Sequence, residues 1–300
     1  MVKLAKGNVI PRVLIGAPVS DRHAHLLDEW INHLNSLTYN FFDVCLIDTT
    51  LDKKDYYERI KKLKVKGKKI KAMRHTWDPD KWHPIQMLAH AREKIREHFL
   101  KGNYDFLFWL DDDIFIPKNG IQRLLSYDKD CAGFYVHVFQ KPIRKPCVLK
   151  SGEIVLGKGL EYFTFAEIAA YKEFARKYKE GTLTKQEKLL VPYIIKDKWK
   201  PHLFKTYGVG LGCLMIKKKV MEAVPFRTHP TFIYGEDLWF FAEANDKNFE
   251  CWCDSTVRAI HKNTEWESVV SKSKKQMGFY IAQGPSDAKE AVIVDRKKKK

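Results

Sequence analysis

Short apolar runs of strand length alternate along the chain with longer stretches whose apolar positions recur every three or four residues. Arg12–Pro18 reads as a buried strand that stops at Pro18, and Phe41–Ile47 as a second, ending at Asp48-Thr49-Thr50. Between them, Leu26, Leu27, Trp30, Ile31 and Leu34 mark one face of a helix, with Asp21 as its expected N-cap. A charged helix over Lys53–Leu63 comes next, its end marked by Gly67, then a strand over Lys69–Met73 running into Arg74-His75-Thr76-Trp77. Pro84–Leu100 predicts a longer helix. Phe106–Leu110 is apolar with little polar alternation, as expected of a strand covered on both faces. Strand and helix in alternation predict an α/β fold with a mostly parallel central sheet and helices on both faces.

The second half of the chain is less regular. Cys131–Phe139 reads as a strand, and Cys147–Leu156 as a hairpin about Ser151-Gly152. Leu160–Lys179 predicts an aromatic-rich helix; ordinary packing accounts for its stripe of Tyr and Phe, with acceptor or membrane contact as the alternative. Gly208, Gly210 and Gly212 alternate ahead of a strand ending at Ile216, leaving one side bare for a ligand or another backbone. A short helix over Lys217–Ala223 stops at Pro225. Glu236 and Asp237 open a helix over Leu238–Asn245, where carboxylates suit the free N–H groups. Phe249–Asp254 and Thr256–His261 read as two further strands.

Composition narrows this picture further. A hydrophobic content of 45% over 300 residues supports a sizeable core, so the chain is not a disordered one. No apolar run reaches bilayer length, and Met1–Ile10 lacks a signal-type stretch, which predicts a cytoplasmic protein. The six cysteines lie apart except Cys251-Trp252-Cys253; with no partner pair at zinc-finger spacing, buried reduced thiols are expected over a metal clip. A net charge of +17 draws polyanions, whether nucleic acid, anionic headgroups or phosphorylated small molecules. Seven lysines fall within Lys61–Lys71, and four close the chain at Lys297–Lys300. Gly16-Ala17-Pro18-Val19-Ser20 is not a glycine-rich phosphate loop, which counts against nicotinamide enzymes and P-loop ATPases.

Candidate chemistry centres on Asp111-Asp112-Asp113, directly after the Phe106–Leu110 strand. If the chain stays extended there, Asp111 and Asp113 converge and Asp112 points away. Two such carboxylates repel unless a cation lies between them, and hard divalent ions take oxygen ligands. An acidic turn with Asp113 capping a helix over Pro117–Leu125 is the plainer alternative, but a cap uses one carboxylate. In open α/β sheets, ligands bind beyond the carboxyl ends of strands, where this triplet falls.

The triplet resembles the Asp-x-Asp motif of GT-A fold glycosyltransferases, especially the family-2-like group. The order of Asp-x-Asp, then Glu236-Asp237, then His261 is similar to that group over roughly Arg12 to Asn263. The resemblance implies a single GT-A-like domain over 1–300: a nucleotide-binding half at 11–117 and a sugar- and acceptor-binding half at 118–263. An insertion at about 142–201 and a basic extension at 264–300 depart from the pattern. By resemblance, Pro18, Asp48, Arg92, Asp111 and Asp112 contact the nucleotide, and Asp111, Asp113 and His261 hold Mn²⁺ or Mg²⁺. A histidine among carboxylates suits Mn²⁺ better. Asp237 is then the general base of an inverting transfer from a UDP- or GDP-sugar, and Glu236 a supporting or acceptor-binding group. The acceptor would be a glycan, a protein or a lipid-linked molecule, with peripheral contact to an anionic membrane and no nucleic acid partner. Two rivals share these residues: a basic nucleic-acid-binding protein or metal nuclease, and a non-catalytic sugar-nucleotide binder.

Overall fold

The computed structural model describes residues 10–51, 54–136, 146–149, 154–156, 180–182, 192–194, 203–206, 208–228 and 236–262. The helix expected over Leu160–Lys179, most of the insertion at about 142–201 and the extension at 264–300 lie outside these residues.

The first half builds four parallel strands: β1 (Val13–Val19), β2 (Phe42–Asp48), β5 (Lys71–Arg74) and β6 (Phe106–Leu110). They are connected through α1 (Leu27–Ser36), α2 (Lys54–Lys61) and α3 (Pro84–Lys101). The second half adds β7 (Ile114–Phe115), α4 (Gly120–Ser126), β8 (Cys131–Val136), β12 (Leu203–Thr206), β13 (Cys213–Lys217), α5 (Lys218–Ala223), α6 (Glu236–Asp246) and β14 (Cys251–His261). The sheet runs β12-β14-β8-β13-β6-β1-β2-β5, with β7 paired to β14. All but β7, β12 and β13 point the same way, so the α/β class and the mostly parallel sheet are present.

Both faces of this sheet are covered, as the unbroken apolar strands require. In β1, Val13, Ile15, Ala17 and Val19 face the layer formed by α1, α2 and α4, anchored by Trp30, Ile60 and Leu124. Leu14 and, from β6, Leu107 and Trp109 face α3, α5 and α6, packed through Ile95, Phe99, Met221 and Phe240. Gly16 allows α3 to sit close, because a Cβ there would come within 2.7 Å of Ile95 Cγ2. The α3 helix starts sharply: the His83 side chain accepts from Ile85 N–H, Gln86 reaches back to His83 N–H, and Pro84 fills the first turn.

Several boundaries differ from the sequence reading. Asp21 does not cap α1: Asp21–His23 forms a separate 3-10 turn, and α1 begins only at Leu27. The lysine run after α2 does not continue the helix. It folds into a two-residue hairpin of β3 (Lys64–Val65) and β4 (Lys68–Lys69), with Lys66 and Gly67 at φ 50° and 76°. Positive φ at both central residues matches the right-handed strand twist. The two strands expected at the end are one, β14, with a register shift between Asp254 and Arg258. The expected hairpin is present as β9 (Pro146–Leu149) against β10 (Ile154–Leu156), with β11 (Pro192–Ile194) on the other edge of β9. Cys45, Cys131, Cys213, Cys251 and Cys253 are all buried.

Candidate functional site

Because β1, β2, β5, β6, β8 and β14 run in parallel, their carboxyl ends share one edge of the sheet, and β13 brings Gly212 to it from the opposite direction. The acidic triplet sits at the centre of that edge, but its geometry corrects the extended-chain expectation. The strand stops at Leu110, and Ile114 N–H donates to Asp111 O at 3.0 Å, closing a turn over the three carboxylates. Asp111 N–H donates to Gly212 O at 2.9 Å and Lys262 N–H to Asp113 O at 2.8 Å, so neighbouring strands fix both ends. The turn breaks the alternation of sides, and Asp112 and Asp113 come together while Asp111 diverges.

Asp112 and Asp113 are nearly fully buried, at 2% and 3% exposure. His23, delivered by the 3-10 turn after β1, places Nδ1 2.8 Å from Asp112 Oδ1 and Nε2 3.9 Å from Asp113 Oδ2. His261, at the end of β14, places Nε2 2.9 Å from Asp113 Oδ2. Burial, the largest influence on Asp112, pushes its carboxyl up to about 6 against the pull of His23. Burial opposes charging of His23, but the hydrogen bond and charge of Asp112, with Asp113 and Asp111 behind it, carry the imidazole to about 9. Without a cation the pair is therefore an imidazolium held on a carboxylate near neutral pH; a metal ion bound by His23 would displace that proton, because only the neutral imidazole ligates.

These residues fit a divalent cation. One ligand atom each from His23, Asp112 and Asp113 lies within 4.8 Å of the others. Asp112 Oδ2 is buried with no hydrogen-bond partner, an acceptor left for something outside the chain. His261 contacts the group through Asp113 but is not one of its three members. Asp111 is not in the cluster.

Asp111 belongs to a second network. Arg92, projecting from α3 and 4% exposed, sends Nη2 to Asp111 Oδ1 at 3.3 Å and Nε to Glu236 Oε1 at 3.1 Å. Its guanidinium lies 4.9 Å from the centre of the Trp109 ring, and Nη1 has no partner. Burial pushes Glu236 up, and Arg92 is the main force drawing it back. Glu236, buried at the start of α6, thus supports Arg92. Asp237 is half-buried in the same first turn, and its charge reaches Arg92. Gly212 is where two backbones meet: a Cβ there would lie 2.6 Å from Ile114 Cδ1 and 2.9 Å from Asp111 Oδ2.

At the β1–β2–β5 side, Pro18 is half-buried opposite Ile47 in the ladder, and Asp48 is completely buried. Asp48 Oδ1 accepts from Thr50 N–H at 2.9 Å, whereas Oδ2 has no hydrogen bond and lies 4.0 Å from Arg74 Nε. Trp77 Nε1 donates to Thr49 O at 3.0 Å, laying its ring across the end of β2. Tyr56 of α2 is buried with its hydroxyl unpartnered, within electrostatic reach of Asp112 and Asp48.

Sequence reasoning missed His23 and Tyr56. His23 follows the end of the first strand by only a few residues, which was a usable signal. Tyr56 shares the Ile60 face of α2, and its sequence context marks it as core alone.

No protein-family model matches the chain, and no curated protein matches it. Among solved structures, A197 from STIV is similar at 16% identity, covering 83% of this chain and 85% of that chain, with a TM-score of 0.37. A likeness at that level bears on neither family nor activity. No helix among the described residues is long and apolar enough to cross a membrane.

Proposed function

We propose that the protein is a metal-dependent glycosyltransferase with a GT-A-type fold, moving a sugar from a nucleoside diphosphate to an acceptor hydroxyl. The observation that carries this reading is the buried Asp112–Asp113 pair with His23 at the carboxyl edge of a mostly parallel sheet, one carboxylate oxygen left unpartnered. A divalent ion held by His23, Asp112 and Asp113, with His261 adjacent, would offset the negative charge that collects on the leaving diphosphate. The remaining steps fall to the chain itself. Asp237 accepts the proton of the acceptor hydroxyl as its oxygen bonds to the sugar carbon. The bond from that carbon to the diphosphate oxygen breaks, and its electron pair leaves with the diphosphate. Arg92, fixed by Glu236 and Asp111, offers its free Nη1 to the ligand. Asp48, Arg74 and Tyr56 hold unpartnered buried polar atoms that suit a nucleoside.

The test is a thermal-shift screen of UDP and GDP with and without Mn²⁺, followed by transfer or donor-hydrolysis assays. A nucleotide at a hundredfold excess over its Kd stabilises by about 2.7 kcal/mol, enough for a clear shift. Asp113→Ala should lose the Mn²⁺-dependent shift, and Asp237→Asn should keep it while blocking transfer. The reading fails if no nucleoside diphosphate stabilises the protein in the presence of Mn²⁺, or if Asp237→Asn turns over normally.

A further inference from the structure

We infer that the lysine hairpin and the apolar residues beside it form a docking surface for anionic phospholipid membranes, at the pole of the sheet opposite the carboxylate site. This inference is independent of the transferase reading.

From Arg59 through Trp77 the chain has no acidic residue and nine basic ones: Arg59, Lys61, Lys62, Lys64, Lys66, Lys68, Lys69, Lys71 and Arg74. The hairpin sets Lys64 directly opposite Lys69 across its two strands, both exposed. Like charges in that position destabilise a hairpin, a cost that an anionic partner would offset. No carboxylate among the described residues lies within 4.0 Å of the amino groups of Lys62, Lys64, Lys69 or Lys71, in contrast with Lys61 on Glu58 and Lys68 on Asp43. Four cations are left to the solvent side.

The apolar part chooses the partner. Lys66 Nζ donates to Leu37 O at 2.7 Å and Lys68 Nζ reaches Phe42 O at 3.4 Å, so the hairpin lies along the segment that leads into β2. On that segment Phe41 is 50% exposed. Its carbonyl takes Val13 N–H at 3.0 Å, and the Tyr39 hydroxyl donates to Pro11 O, which brings Ile10, 42% exposed, to the same end of the sheet. A bare phenylalanine and a bare isoleucine among lysines suit a bilayer, where headgroups take the cations and the acyl boundary takes both apolar tips. A nucleic acid would stack on the phenylalanine but has no use for the isoleucine. β1 spans seven residues, so this pole is roughly 20 Å from the carboxylates, and a docked membrane leaves that edge open.

The experiment is vesicle flotation of the full chain, with neutral phosphatidylcholine vesicles against vesicles carrying phosphatidylglycerol, at about physiological salt. Binding is expected only to the anionic vesicles. Lys64→Ala/Lys69→Ala should lower the partition coefficient about fivefold per lysine, and Phe41→Ser/Ile10→Ser should lower it as well. Both variants alter exposed side chains, and an unchanged melting temperature verifies folding. A charge-matched control at the carboxyl edge, Arg22→Ala/Lys81→Ala, should bind like the parent. The inference is overturned if the control loses as much as the hairpin variant, or if the Phe41/Ile10 variant binds normally. It is equally overturned if a single-stranded oligonucleotide binds through the same lysines more tightly than the vesicles do.

Discussion

Replacing Arg92 by leucine tests the arrangement most directly, because that side chain joins three elements at once. Arg92 and Glu236 have side chains 5% and 4% exposed, so their contact is a buried ion pair, whereas Asp111 keeps 31% and can be rehydrated. Removing one partner of a buried pair costs about 3–5 kcal/mol, since the other charge stays uncompensated in a low dielectric. The half-solvated Asp111 contact adds at most about 1 kcal/mol. Loss of the cation over Trp109 adds about 0.5–1 kcal/mol, which leucine packing against the ring largely restores, so about 4 kcal/mol is expected in total. In urea unfolding, with a slope near 3 kcal/mol/M, the midpoint should fall by roughly 1–1.5 M. Arg92→Leu/Glu236→Leu should recover much of this, because no buried charge is then left alone. If the single variant loses less than about 1 kcal/mol, or the double variant equals the sum of the singles, Arg92 and Glu236 are not the coupled pair described here.

Other outcomes follow from the same geometry. Gly212→Ala should displace Asp111 and the end of Ile114, costing about 1–3 kcal/mol by overpacking and loosening Arg92; an unaltered urea midpoint would contradict it. Tyr56→Phe removes an unpartnered buried hydroxyl and should leave stability equal or raised by up to about 1 kcal/mol, while weakening nucleoside-diphosphate binding in calorimetry. Asp254 is buried, and although burial pushes its carboxyl up, Thr256, Tyr127 and Arg123 together hold it below the usual value of 3.8. Its stabilising contribution is therefore present above the unfolded value and lost as pH falls through the folded one. Asp254→Asn should cost about 1–3 kcal/mol at pH 7 and progressively less in urea titrations below about pH 4.

The sheet-forming part of this protein was legible in the order of its residues. Phe106–Leu110 has the predicted limits in the structure, since a continuous apolar run flanked by polar residues has little choice but a strand covered twice. The Leu27, Trp30, Ile31 and Leu34 stripe is the buried face of α1 for the same reason. The acidic triplet and the Glu236-Asp237 pair were also visible, as carboxylates in excess of what capping requires. How they are shared out was not. Asp111 turns to Arg92 and Asp113 to His261 because Gly212 and Lys262, about a hundred or more residues downstream, grip the two ends of the turn; local periodicity carries no information about such partners. The Arg92–Glu236 bond spans 144 residues of sequence, and His23 enters only because the chain makes a 3-10 turn before α1. Local pattern fixes which residues are apolar and where a strand must end. Which buried charge meets which is decided by packing across the sheet, where desolvation makes an unpaired group too costly to leave in place.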